Sequence, residues 1–374
     1  MSENPVQQPE SYQKREFFLL VIVIILFLGG VYFIYGQIKQ MGDIGGGTQI
    51  HQPIPPKRIT LIKPKPSHSA KSKQKYESLL NNVDQSLKKG AKWLKGQFIH
   101  LDSKKGGWPH FQWEEKKPGA PTTALATFSL ASLPKRLQET YLGMLEKGIA
   151  FLLSKMDEKG AISEKEAHIQ YRNYTTAMTL SSLCLLDKKR YREEIKKIQS
   201  YLIHSQLLSI PRWNWHYGTW NYYETPHLGL RVDISVTAYV LESLYLSGLP
   251  RSSSTWKKAL IFLKRCQNYG PNKDKRVYDG GFRFHPRNSK AGEVTLPSGD
   301  ILYLSYGSAT SDGLRSLLYS GLSLDHERVK RARTWLVQHF SSTVNPGFGR
   351  EDPAGFGRGM RFYYFHSVSK AMKK

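Results

Sequence analysis

Two aspartates stand where an acid could act on a substrate, near the start of nearly uncharged helical segments. Asp233 lies two residues before the segment SVTAYVLESLYLSGL, and Asp312 is the only charge in the first turn and a half of SATSDGLRSLLYSGL. A carboxylate at such a position accepts hydrogen bonds from orphan backbone N–H groups, which makes helix capping the simplest interpretation. The alternative is a catalytic or ligand-binding acid, so Asp233 and Asp312 are the catalytic candidates.

Aromatic residues follow paired glycines at two turns, Gly106-Gly107-Trp108 and Gly280-Gly281-Phe282. Aromatic faces can stabilise a carbocation or stack on a sugar, although at such turns they more often plug the core. The candidates for lining a ligand cavity are Trp108, Arg231, Phe282 and Tyr306.

The cysteines and histidines do not form a metal motif. Cys184 and Cys266 lack CxxC or zinc-knuckle spacing, and the histidines of the expected loops lack the spacing of metal ligands. The sequence therefore predicts no metal site and no cofactor.

A pattern of two helix types recurs from residue 76 onward. The first type is amphipathic and carries an aromatic residue followed by leucine, at Trp93, Phe151, Tyr201, Phe262 and Trp335. In three of these helices a glutamine lies four or five residues later, as Gln97, Gln206 and Gln267. The second type is nearly uncharged and rich in small residues, and its copies begin near Thr122, Thr175, Ser235, Ser308 and Tyr363.

The charges of the two types place them in different layers. A helix with one charged face can border water, whereas an uncharged helix of small residues must be covered on most sides. The sequence thus predicts an all-α fold, an α/α toroid of about five helix pairs with charged helices outside. The alternative is an open α-solenoid, but each pair spans about 50 to 70 residues, longer than the usual helical repeats.

The N-terminal part differs in composition from the repeats. Residues 17–36 contain no charge and are long enough to span a bilayer, so they predict a transmembrane anchor rather than a cleaved signal peptide. Residues 1–16 form the expected cytoplasmic tail, since Lys14 and Arg15 flank the anchor. Residues 37–75 are a Pro-, Gly- and Lys-rich linker, and residues 76–374 are the toroid, expected outside the cytoplasm.

The chain carries 55 Lys and Arg against 30 Asp and Glu, a net charge of +25. A basic surface tethered to a membrane is attracted to anionic lipid headgroups. No nucleic-acid-binding motif is present, so the expected partner is the membrane and not nucleic acid.

Residues 76–374 resemble the prenyltransferase and squalene cyclase repeat superfamily. The resemblance rests on the Gly-Gly-aromatic turns, the TTA-like helix starts and the segment YGSATSDGLRSLLYSGL from Tyr306. It implies an α/α toroid, a scaffold that also serves prenyltransferases, thioester domains and polysaccharide lyases.

The sequence departs from the catalytic motifs of this superfamily. The DxDDTA motif of squalene cyclases is matched by DISVTA, with Ser235 and Val236 in place of two acids. The cysteine that holds zinc in prenyltransferases is missing after Phe282, and neither Cys184 nor Cys266 lies in a thioester motif. Protonation-initiated cyclisation and zinc chemistry are therefore not expected.

Two functions follow from these observations. The leading hypothesis is a membrane-anchored toroid that binds a lipid or isoprenoid, a polymer or a protein partner. The alternative is an active enzyme on this scaffold, a terpene cyclase- or mutase-like isomerase or a polysaccharide lyase. The last inner helix is not followed by another outer helix, so either the ring has an open C-terminal edge or a protein partner covers that edge.

Overall fold

The computed structural model describes residues 70–110, 117–164, 171–222, 230–270, 278–349, 352 and 354–372, with only the backbone of 70–76. The predicted cytoplasmic tail, the transmembrane anchor at 17–36 and most of the linker lie outside these residues. Within them, no helix is both long and apolar enough to cross a membrane.

Outer and inner helices alternate along the described chain, as the charge pattern predicted. The outer helices are α1 (Ala70–Gly96), α4 (Leu142–Ser154), α6 (Arg192–His204), α8 (Ser254–Cys266) and α10 (Glu327–Gln338). The inner helices are α2 (Ala120–Ala131), α5 (Arg172–Leu186), α7 (Ile234–Leu246), α9 (Gly307–Tyr319) and α12 (Arg361–Met372). Two short helices, α3 (Lys135–Gln138) and α11 (Phe356–Gly359), and a 3₁₀ turn (Glu139–Tyr141) lie between them. Helix α1 begins inside the segment assigned to the linker.

The inner helices pack against one another in chain order, α2 on α5, α5 on α7, α7 on α9 and α9 on α12. Every residue of α9 from Gly307 to Leu317 is buried, because neighbours cover the helix all round. Outer helix α6 instead buries one stripe, Ile195, Ile198 and Leu202. This two-layer arrangement confirms the all-α prediction and is that of an α/α toroid.

A hydrogen bond ties three of the turns to the inner helix that follows each of them. The backbone N–H of the turn residue donates to a threonine hydroxyl at 2.8 to 3.0 Å, from Trp108 to Thr123, Ile162 to Thr176 and Phe282 to Thr310. The threonines are 0% exposed, so each bond satisfies a polar group that has no access to water.

Two of the recurring glutamines join consecutive units. The Gln206 amide donates to the carbonyls of Gly218 and Thr255, at 2.8 and 3.1 Å. The Gln267 amide donates to Gly280 and Arg328, at 3.0 and 2.8 Å. In both cases one acceptor lies in the following turn and the other at the start of the next outer helix.

Two of the connections between helices contain short β-strands. Strand β1 (Ile99–His100) pairs with β2 (Gly106–Gly107), and β3 (Glu293–Thr295) pairs with β4 (Ile301–Tyr303). No strand was predicted from the sequence, because segments of two or three residues are too short to display an alternating pattern of apolar and polar residues. Each hairpin lies between an outer helix and the inner helix that follows it, β1–β2 between α1 and α2, and β3–β4 between α8 and α9.

The first and last inner helices approach each other at the ring axis. The Lys370 ammonium of α12 lies 4.1 Å from the centroid of the Phe128 ring of α2. Among the described residues no outer helix follows α12. A protein partner at this edge stays a prediction.

Candidate functional site

The ring axis is occupied by side chains that meet at Tyr239 of α7. Its ring contacts one residue from each of four other inner helices: Phe128 of α2 (6.4 Å between centroids), Tyr174 of α5 (4.7 Å), Arg315 of α9 (4.8 Å) and His366 of α12 (5.9 Å). The toroid is therefore closed by a plug at this level.

A buried ion network surrounds the plug. Arg315, which is 0% exposed, donates to Asp312 at 2.8 and 3.0 Å and to Glu242 at 2.8 Å. Lys370 binds both oxygens of Glu242, at 2.7 and 2.8 Å. Two carboxylates thus face two cations, and their charges cancel, which a buried cluster requires.

Asp312, the first catalytic candidate, does not cap its helix. One carboxylate oxygen accepts a hydrogen bond from Tyr363 at 2.8 Å, and the other accepts from Ser367 and Arg315. Burial raises the pKa of this carboxyl above its ordinary value, although Arg315 and the two hydroxyls oppose the shift. All described contacts of Asp312 therefore hold it within the plug.

Asp233, the second candidate, caps α7 as predicted. Its Oδ1 accepts from the backbone N–H of Ser235 (2.8 Å) and Val236 (3.0 Å) and from the Ser235 hydroxyl (2.7 Å). Its Oδ2 accepts from the Tyr222 hydroxyl at 2.8 Å. Ser235, which stands in place of a second acid, thus donates to the first.

Four tyrosines lie at the N-terminal ends of the inner helices. Tyr171, Tyr174, Tyr222 and Tyr363 are each partly accessible, and we name them the tyrosine vestibule. The Tyr174 and Tyr222 rings stack at 6.1 Å with an interplanar angle of 11°. Burial raises the pKa of Tyr174, Tyr222 and Tyr363 well above the usual value.

The vestibule stands above the plug. Tyr174 contacts Tyr239, and the centroid of Tyr363 lies 6.5 Å from that of His366. Along α7, Asp233 at the rim and Tyr239 in the plug are separated by about 9 Å, since each helical residue rises about 1.5 Å. We call the tyrosine vestibule together with the plug below it the cup, with the tyrosines as its wall and the plug as its floor.

The backbone is strained at the edge of this cup. Tyr171 has φ = +41°, in the left-handed region, and is the only non-glycine residue with positive φ in the described ranges. Such strain is often found at functional sites.

Three of the four predicted cavity residues lie in the core, and the fourth, Arg231, lies beside the vestibule, where its carbonyl accepts from the backbone N–H of Tyr222 at 2.9 Å. Trp108 and Phe282 are 0% exposed and Tyr306 is 2% exposed, and all three belong to the hydrophobic core. Trp108 is fixed there by its indole N–H, which donates to the Leu94 carbonyl at 2.8 Å. Arg231 is exposed.

Sequence reasoning missed most residues of the cup and plug. A usable signal existed, because Glu242, Arg315 and Lys370 interrupt helices that must be covered on most sides. A charge in such a helix must be paired across the ring. The tyrosines gave no comparable signal, since tyrosine also occurs throughout the core and the surface.

Two histidines meet outside the cup. The Nε2 atoms of His216 and His285 are 3.1 Å apart. Burial, and the adjacent His216, lower the pKa of His285 to about 4. Within the described ranges, no three His, Cys, Asp or Glu side chains are grouped to hold a metal ion.

Comparisons with known proteins bear on the fold. No protein-family model and no curated protein matches the sequence. Among solved structures, the chain is similar to the type II terpene cyclase MstE from Scytonema, with 15% identity, a TM-score of 0.47, and coverage of 95% of this chain and 87% of that chain. It is also similar to a sugar epimerase from a ruminal bacterium, with 10% identity, a TM-score of 0.49, and coverage of 93% and 87%.

The order and packing of the described helices are those of an α/α toroid. The α/α toroid that the sequence predicted is confirmed by this helix arrangement. At these identities and TM-scores, the likeness of this toroid to solved structures carries no argument about substrate or chemistry.

Proposed function

We propose that this toroid binds a neutral, largely apolar molecule of the lipid or isoprenoid class in the tyrosine vestibule, and that it does so without the acid or zinc chemistry of cyclases and prenyltransferases. The observation that carries the proposal is the engagement of both candidate acids. Asp233 holds the start of α7 and the Tyr222 hydroxyl. Asp312 holds Arg315, Tyr363 and Ser367.

Engaged carboxylates are poor proton donors to an alkene. A general acid needs a proton and a free path to the substrate, whereas both oxygens of Asp233 accept hydrogen bonds. Replacement of the second and third motif acids by Ser235 and Val236 removes the groups that would supply that proton.

The walls favour an apolar ligand. The hydroxyls of Tyr222 and Tyr363 already donate to carboxylates, so these rings offer mainly their apolar faces. The charges of the plug cancel in pairs, so a charged ligand group would be buried without a counter-ion. A sugar would need many hydrogen-bonding partners, whereas the Tyr222 and Tyr363 hydroxyls already donate to carboxylates.

The test is binding and turnover by the purified full-length protein. Wild-type protein should bind geranylgeraniol, and Tyr174→Ala should weaken binding about 10-fold, since one buried aromatic ring contributes about 1.5 kcal/mol or more. Tyr245→Ala is the matched control, because Tyr245 lies near the opposite end of inner helix α7. Squalene and geranylgeranyl diphosphate should both be recovered unchanged.

The enzyme hypothesis is the competing outcome of the same experiment. Conversion of either compound by the wild type, abolished in Asp233→Asn, would replace the binding proposal with catalysis. An isostructural amide keeps the capping geometry, so loss of activity in this variant would identify the acid itself.

We further propose that residues 17–36 anchor the toroid to a membrane, with the toroid outside the cytoplasm. The support is the uncharged run and the basic residues Lys14 and Arg15 on one flank. Alkaline phosphatase is active only outside the cytoplasm, so a fusion after Lys374 should be active. An expressed, membrane-bound fusion without activity would place the toroid in the cytoplasm instead.

A further inference from the structure

The floor of the cup contains a buried histidine whose hydrogen-bonding capacity is unused by the described protein. His366 is 1% exposed. Neither Nδ1 nor Nε2 has a hydrogen-bond partner among the described residues. Leaving buried polar atoms unpaired costs about 1–3 kcal/mol each, so an apolar ring would be more stable at this position.

The surroundings of His366 keep it neutral. Burial, and the charges of Lys370 and Arg315, lower its pKa well below the ordinary value. A neutral imidazole offers one donor and one acceptor. The site therefore presents hydrogen-bonding capacity without charge.

The position of His366 connects it to the vestibule. Its ring lies parallel to Tyr239, with an interplanar angle of 8°, and also contacts Tyr363 of the vestibule. Tyr239 in turn contacts Tyr174. A molecule entering between the tyrosines would reach this stacked pair at its inner end.

We propose that His366 is a specificity-determining residue that binds a neutral hydroxyl group at the inner end of the apolar ligand. This inference rests on the proposed function. A hydroxyl fits because it both donates and accepts, so it pairs with either tautomer of the imidazole. A carboxylate or phosphate does not fit, because the two carboxylates and two cations beside His366 already neutralise one another.

Two probes with the same carbon skeleton test this assignment. Geraniol carries a hydroxyl, and 2,6-dimethylocta-2,6-diene lacks it. Both are volatile, so headspace chromatography over the full-length protein in lipid nanodiscs, with empty nanodiscs as the blank, gives both dissociation constants. In His366→Phe the ratio of the constants should shift about 2- to 10-fold in favour of the hydrocarbon, the effect of one lost hydrogen bond.

Variants separate a binding role from a structural one. His366→Gln retains a donor and an acceptor and should retain most of the preference for geraniol. His366→Phe should unfold at the same or a higher temperature than the wild type, because it removes unpaired polar atoms. If it fails to fold, His366→Leu serves the same comparison, and an imidazole NMR shift of the wild type with geraniol but not with the hydrocarbon is the variant-free readout.

The outcomes distinguish this inference from the proposed function. Equal binding of both probes with an unchanged ratio in His366→Phe would overturn the role of His366 and leave the apolar vestibule standing. Binding of neither probe above the blank would overturn both.

Discussion

The rings of Tyr239 and His366 lie parallel, with centroids 5.9 Å apart, although they belong to inner helices α7 and α12, which are not consecutive in the ring. The contact crosses the axis of the toroid. Around it, each charge finds an opposite charge, while the imidazole nitrogens find no partner in the described protein. The plug thus combines a stabilising network with one uncommitted polar group.

The ion network should be costly to break on one side. Arg315→Met leaves Asp312 without its cation in a dry environment and should lower the free energy of unfolding by about 3–5 kcal/mol. Adding Asp312→Asn should recover at least about 1 kcal/mol, because the unpaired charge is then removed. Urea unfolding measures both.

A surface ion pair provides the control for that experiment. Arg331 binds Glu327 at 2.9 Å, but both side chains are more than half exposed, at 59% and 51%. Arg331→Met should change stability by no more than about 1 kcal/mol. Equal losses in the Arg315 and Arg331 variants would refute the buried network.

Stability should fall as the solution is acidified, and His366 should contribute to the slope. Its folded pKa is lowered well below 6.5, chiefly by burial, so below pH 6.5 the unfolded chain takes up a proton that the folded chain refuses. Each such histidine costs about 1.4 kcal/mol per pH unit between the two pKa values. For His285, whose pKa is about 4, the window runs from 6.5 down to about 4.

Urea unfolding at several pH values measures this dependence. Below pH 6.5, the free energy of unfolding of His366→Phe should fall less steeply with decreasing pH than that of the wild type, by the equivalent of one proton. An identical slope in the two proteins would mean that His366 is protonated in the folded state.

The sequence predicted the layers of the fold because charge pattern decides which helices border water. The repeated pattern also identified Gln206 and Gln267. In the structure each of these amides donates to two backbone carbonyls, one in the following turn and one in the next outer helix. The cup could not be predicted in this way. Tyr239 and His366 are far apart in sequence, and a pattern of burial does not tell which side chains meet across the axis.

The same limit applies to the aromatic residues predicted to line a cavity, which the structure places in the core. Trp108 and Phe282 were prominent because they follow paired glycines, but both rings are 0% exposed. A Cβ atom at Gly313 would lie 2.4 Å from the Phe282 ring, which shows how closely that ring is enclosed.

That close approach gives a packing prediction. Gly313→Ala should destabilise the protein by about 1–3 kcal/mol, because the added methyl group overlaps the Phe282 ring. Gly143→Ala is the matched control, since nothing lies within 4 Å of the added Cβ in helix α4. It should stabilise by up to about 1 kcal/mol through helix propensity. Thermal unfolding of both variants checks the difference, and a stabilising Gly313→Ala would contradict it.

The strain at Tyr171 can be measured with two truncations. Both Tyr171→Gly and Tyr171→Ala remove the ring, but only glycine adopts φ = +41° without steric cost. The glycine variant should therefore be more stable than the alanine variant by about 1 kcal/mol. In a helix interior the order would be reversed, so greater stability of the alanine variant would show that the backbone there is helical.

An apolar ligand in the tyrosine vestibule would lie against the rings of Tyr174, Tyr222 and Tyr363. Photocrosslinking of a benzophenone-labelled C15 isoprenoid alcohol to the full-length protein, followed by peptide mapping, tests this placement. We expect label on Tyr174, Tyr222 or Tyr363 that is displaced by unlabelled geranylgeraniol. Label confined to the outer helices, or not displaced, would contradict it.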